Sequence, residues 1–225
     1  MPIARQLEQG FRAAESLNRP DETHWPQIRL GLLRSLSGPI AQSMVEALTE
    51  SFKIEIIEGS PHELRTALAS GRIDAAVTLL RPDENADHSH ILYQEPYVML
   101  VAENHPLAGQ TDVPPAAFAT EIMIARRSCE RLQDTSRFFT RNGVRPRFAL
   151  RSDNDDLCLR MVASGLGITT APLSLRIQGT ASVGIQGYDF IRTIGLSWSE
   201  DGLSSAEGTQ AIQQIKVRLS EKIRP

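Results

Sequence analysis

The sequence predicts an α/β fold made of two βαβαβ rounds, and three observations carry that expectation. Short apolar runs suited to covered strands alternate with amphipathic stretches of helical period. The order strand, helix, strand, helix, strand occurs twice along the chain. The second helix of each round also ends alike, at Leu68-Ala69-Ser70-Gly71 and at Val162-Ala163-Ser164-Gly165, each ahead of a buried strand.

In the first round, Ile28 to Leu33 is a mostly apolar run that suits a strand covered on both faces. The loop Arg34-Ser35-Leu36-Ser37-Gly38 leads to Pro39, a residue fitted to a first helical turn because its missing N–H would be unsatisfied there anyway. Ile40, Met44, Val45 and Leu48 give that helix one apolar face. Phe52, Ile54 and Ile56 alternate with Lys53 and Glu55 as a strand. Ser60-Pro61-His62-Glu63 then opens a helix as a capping box, and Gly71 closes it in the left-handed conformation. Ala75 to Leu80 is a short buried strand.

Beyond a polar loop from Arg81 to His90, extended chain from Ile91 to Leu107 is interrupted at Glu95-Pro96, where a crossing between two lobes is expected. In the second round Glu121 to Ala125 is a strand, Ser128 opens a helix ending at Asn142-Gly143, and Arg145 to Arg151 is a strand. Asn154-Asp155-Asp156 opens a further helix with acidic groups suited to its dipole, before the strand Gly167 to Pro172. Ser182 to Gln186 and Ile191 to Trp198 are further strands, and the tail is an amphipathic helix presenting Ile212, Ile215, Leu219 and Ile223. Ahead of the first round, Ile3, Leu7, Phe11, Ala14 and Leu17 form the narrow apolar seam of a separate helix, broken by the prolines of the segment 19–26.

A chain of 225 residues holds one large domain or two lobes. The net charge of −3 argues against a nucleic-acid surface, which is normally basic. No N-terminal run resembles a signal peptide and none is long enough to span a bilayer, and two cysteines make no disulfide framework, so a cytoplasmic location is expected. His88 and His90 have acidic neighbours but no second ligand cluster, which favours a polar loop over a metal site. No nucleophile elbow, phosphate loop, metal cluster or cofactor motif stands out, so neither an enzyme nor a bound cofactor is expected.

Taken in order, the pieces IRLGLL-loop-helix, FKIEIIEGSPHELRTALASGRIDAAVTLL, EPYVMLVAENHPLAG and GVRPRFALRSDNDDLCLRMVASGLGITTAPLSL resemble the effector-binding domain of LysR-type transcriptional regulators over about residues 28 to 222. The resemblance implies two Rossmann-like lobes joined by two crossing strands, a type II periplasmic-binding-protein-like fold, with an inducer between the lobes. It divides the chain into a remnant of the linker or dimerisation helix (1–24), lobe I (25–95 plus 194–225) and lobe II (96–193). It implies a homodimer with a small-molecule effector. The family's winged helix-turn-helix does not precede residue 28, so no DNA binding by this chain alone is expected. A free-standing small-molecule solute-binding protein, which shares the fold, and a cysteine-based redox sensor of the same family are the alternatives.

The resemblance puts the effector at the carboxyl ends of the strands, where open α/β sheets bind ligands on general grounds. From lobe I it points to Arg34, Ser35, Leu36 and Ser37, then Ser60 and Thr78. From lobe II it points to Arg126, Arg127, Ser128, Cys129 and Asn154. Helix N-termini and arginine facing one cleft favour a carboxylate or another small anion, with solvated arginines as the competing reading. Cys129, placed at a helix N-terminus beside Arg126, Arg127 and Arg131, is expected to have a lowered thiol pKa. Peroxide-sensing members of the family carry a reactive cysteine in the equivalent stretch, but the resolving partner is misplaced here, since Cys158 falls on a different predicted helix.

Overall fold

The computed structural model describes residues 25–84, 86–199 and 206–222. The expected helix over Ile3 to Leu17 and the seam residue Ile223 lie outside the described residues.

Lobe I is built on β1 (Gln27–Leu33), β2 (Lys53–Gly59) and β3 (Ala75–Leu79), all parallel, with β1 in the middle. Helices α1 (Gly38–Thr49) and α2 (Pro61–Ala69) make the crossovers. The capping box at Ser60 is present in both directions. Gly71 stops α2 at φ +68, a left-handed conformation that costs a glycine nothing. Leu30, Met44, Leu48, Leu64 and Ile73 fill one core, closed from outside by Ile212, Ile215 and Leu219 of the tail helix α5 (Ala206–Lys222).

Lobe II repeats the scheme. Strands β5 (Ile122–Arg126) and β6 (Arg147–Ser152) are parallel, and β7 (Thr169–Pro172) joins the other side of β5. That junction is a reciprocal pair of bonds: Ile124 N–H to the Ile168 carbonyl and Ile168 N–H to the Ile122 carbonyl, both 2.8 Å. Helices α3 (Leu132–Arg141) and α4 (Asp155–Ala163) cover opposite faces, over two separate apolar clusters.

Two long strands join the lobes. β4 (Ser89–Ala102) pairs antiparallel with β9 (Ile191–Trp198) as far as Pro96, and from Tyr97 onward with β7 and with β8 (Thr180–Val183). The lobe I order is thus β2-β1-β3-β9, and in lobe II β6-β5-β7-β4 stands in the same relation.

Three sequence expectations are corrected. β4 is one strand of 14 residues, not two pieces broken at Glu95-Pro96. The proline's missing N–H falls where the strand changes partner, so continuity survives it. α3 starts at Leu132, not Ser128, because 126–132 is taken up by two tight turns, closed by Cys129 N–H to the Arg126 carbonyl and Leu132 N–H to the Cys129 carbonyl. β8 ends at Val183, and Ile185 leaves it to bridge Val113 instead.

A Cβ at Gly167 would collide with the Ile122 carbonyl, the acceptor that holds β7 to β5. Backbone cannot give way as a flexible side chain does. Gly167→Ala is therefore expected to lower stability by about 1–3 kcal/mol, the usual cost of overpacking. A urea midpoint equal to that of the parent would contradict this.

Candidate functional site

Because β1, β2 and β3 are parallel, the loops beginning at Arg34, Ser60 and Leu80 all leave the same edge of lobe I. Ser37 is the N-cap of α1 and makes no side-chain capping bond. Leu36 packs on the lobe I core. Ser60 spends its groups on its own helix: its Oγ accepts the Glu63 N–H at 3.3 Å, and its N–H donates to the Glu63 carboxylate at 2.7 Å. Arg34 reaches the same carboxylate at 3.5 Å on the surface. The Thr78 hydroxyl is buried without a hydrogen-bond partner among the described residues.

Lobe II holds a carboxylate of its own. Arg126 is buried and grips Asp155 with two bonds, Nε at 2.9 Å and Nη2 at 2.5 Å. Burial alone would push its pKa down, but the Asp155 carboxylate outweighs it and keeps the guanidinium charged. The Ser128 hydroxyl donates to the same Asp155. Asn154 caps α4 by accepting the Leu157 N–H at 3.0 Å. Arg126 and Ser128 thus tie the end of β5 to α4.

Between the lobes sits Arg192, 2% exposed, on the crossing strand β9. Its Nε donates to Glu95 at 2.9 Å, directly across the β4–β9 ladder. Its Nη1 donates to Glu130 of lobe II at 2.9 Å and to the Ser35 Oγ of lobe I at 3.1 Å, and its Nη2 to the Ser35 carbonyl at 3.2 Å. Ser35 Oγ in turn donates to Glu130 at 3.1 Å, and the Tyr97 hydroxyl to Glu130 at 2.5 Å. Glu95 is completed by the Ser174 N–H at 2.7 Å and hydroxyl at 3.0 Å. Burial pushes the Glu130 carboxyl up, yet the Arg192 charge and the Tyr97 hydroxyl outweigh it and hold it below its usual range. Burial and the Glu130 charge push the Tyr97 phenol well above its usual value, so it remains a donor.

Beside this network a groove of 960 Å³ opens between the lobes, at the carboxyl edge of the lobe I strands. Arg65, Arg81, Arg131 and Arg192 line it against Glu84 and Glu130. Burial and then the charge of neighbouring Arg81 lower the Arg65 pKa. Of the eleven residues expected from the sequence none lines this groove, and Ser35 reaches it only through its bonds to Arg192 and Glu130. Arg126 and Cys129 line a separate pocket of 220 Å³ within lobe II. Glu95, Tyr97, Glu130 and Arg192 escaped sequence reading. The available signal was a charged residue inside each of two extended runs, Glu95 in Ile91 to Leu107 and Arg192 in Ile191 to Trp198.

The expected lowering of the Cys129 pKa is overturned. Burial pushes the thiol up, and Arg126 offsets this only in part. The helix dipole is absent because α3 begins three residues later, Arg126 is turned to Asp155, and Arg131 pairs with Asp134 at 2.9 Å. Cys158 is also buried, and its thiol is pushed up first by burial and then by Asp155.

The LysR substrate binding domain family matches residues 26–219. The chain belongs to the LysR family. A probable hydrogen peroxide-inducible genes activator of Mycobacterium leprae is 30% identical over 153 residues, 65% of this chain and 49% of that protein. The DNA-binding transcriptional dual regulator OxyR of Escherichia coli K12 is 26% identical over 162 residues, 70% of this chain and 53% of that protein. The LysR domain thus spans about half the length of these curated relatives. The regulatory domain of Synechocystis PCC6803 CcmR, solved in complex with 2-PG, superposes with a TM-score of 0.70 at 16% identity, covering 85% of this chain and 96% of that one. No helix among the described residues is long and apolar enough to cross a membrane.

A raised thiol pKa means that the folded protein keeps the Cys129 proton at neutral pH and releases it only in alkali. In the native LysR domain a disulfide reagent at pH 7 is expected to modify both thiols slowly, with fast reaction only in denaturant. Stoichiometric modification of Cys129 within seconds at pH 7 would contradict the burial.

Proposed function

We propose that this LysR domain is the effector-sensing part of a transcription regulator, and that it takes a small anionic metabolite in the groove between its lobes. The observation that carries the reading is the charge of that groove, four arginines against two glutamates, at the edge where parallel strands end. Such a lining attracts anions and offers charge-assisted hydrogen bonds. In this reading the division falls at 25–95 plus 194–225 and 96–193. Ser35 contributes through the Arg192 network, while Arg34, Leu36, Ser37, Ser60, Thr78, Ser128 and Asn154 stand outside the groove lining. A homodimer is the proposed assembly, and sensing without turnover the proposed activity. A thiol-based peroxide response, suggested by the relatives' names, is not favoured, because Cys129 is buried and retains its proton.

Thermal melts against a panel of small organic acids, each beside its neutral amide, test this. At least one acid is expected to raise Tm in a saturable way while its amide does not. Arg65→Gln or Arg81→Gln is expected to weaken that acid about ten- to a hundredfold, the loss of one hydrogen bond to a charged group. A panel in which amides stabilise the protein as well as acids do would overturn the anionic reading.

A further inference from the structure

We propose that the Glu130 carboxylate is a built-in occupant of an anion seat between the lobes, and that an anionic effector enters by taking its place. This rests on the anionic reading above and gives the groove a way to couple binding to lobe movement.

Two carboxylates share the one guanidinium of Arg192, and they are not equivalent. Glu95 is fixed by the strand register opposite Arg192 and is completed by both donors of Ser174. The Arg192–Glu95 pair is therefore neutral in charge, while Arg192 Nη1 still points its hydrogens away from Glu95, at Glu130 and Ser35. Glu130 is the additional negative charge. It comes from the irregular turn ahead of α3, not from a strand, and it faces the groove, which Glu95 does not.

What Glu130 meets is a seat for a carboxylate. Ser35 Oγ, Tyr97 hydroxyl and Arg192 Nη1 converge on it from a lobe I loop and both crossing strands, at 3.1, 2.5 and 2.9 Å. All three donors belong to buried residues, and buried donors left without an acceptor are costly, so the seat demands an occupant. A neutral guest could not satisfy the arginine. An anion added beside Glu130 would meet its charge at close range. Exchange of one carboxylate for another avoids both costs. It also cuts the bond between Ser35 of lobe I and Glu130 of lobe II, so occupancy of the seat by a free anion releases one lobe from the other. Selectivity follows, because a guest must present a carboxylate-like edge to three donors at once.

Glu130→Ala empties the seat by the atoms of one acetate, which makes acetate the probe. Melts are run at neutral pH and constant ionic strength, with chloride and acetamide as controls. Glu130→Ala is expected to melt below the parent, and acetate to raise its Tm in a saturable way that chloride and acetamide do not match and the parent does not show. Adding Ser35→Ala to that variant is expected to weaken acetate about tenfold. Should Glu130→Ala not fold, Glu130→Gln keeps the shape and removes the competing charge, and acetate is expected to bind it at least tenfold tighter than it binds the parent. Acetate acting equally on the parent and on whichever variant folds would overturn the proposal. Neither arm uses the acid panel. Acetate rescue with no acid active on the parent would leave the seat and remove the effector reading. An acid active on the parent, with acetate inert on the variants, would remove the seat and leave the effector reading.

Discussion

Arg192 lies on a crossing strand with a side chain that is 1% exposed, and it gathers groups from every part of the fold. Glu95 and Tyr97 come from the other crossing strand, Ser35 from lobe I and Glu130 from lobe II. A buried guanidinium cannot be left unpaired, since breaking such a pair costs about 3–5 kcal/mol. The position of every partner is therefore constrained by this one charge. The groove lies against it because Arg192 and Glu130 are shared by the network and the lining.

The same device appears once more inside lobe II, where Arg126 and Ser128 close on Asp155. There all the partners belong to one lobe, and the contact ties a strand to a helix. At Arg192 the partners belong to both lobes, so the contact ties the lobes. Identical chemistry thus joins elements within one lobe in one place and joins the two lobes in the other, according to which elements carry the groups. Burial also decides the cysteine question, since desolvation outweighs the nearby arginine at Cys129.

Much of the fold was legible in the sequence because strand and helix periods, caps and stops are local. The capping box at Ser60 and the left-handed Gly71, Gly143 and Gly165 stand where sequence reading put them. The start of α3 was not legible, because the turns that delay it are closed by backbone bonds and by Ser128 turning to Asp155. The site was least legible. Ser35 and Arg192 are 157 positions apart, and Glu130 stands between them in sequence with no local signal of its partners. Serines and arginines at helix starts marked plausible donors, but nothing local showed that the chain's own carboxylates had taken them.

The central claim is that the lobes are coupled through the seat around Arg192. A double-mutant cycle between Ser35→Ala and Glu130→Ala, read by urea unfolding, tests it most directly, because the two residues belong to different lobes. The account predicts that the two losses fail to add, with a coupling energy of about 0.5–3 kcal/mol. Losses that add within about 0.3 kcal/mol, as for independent sites, would contradict it.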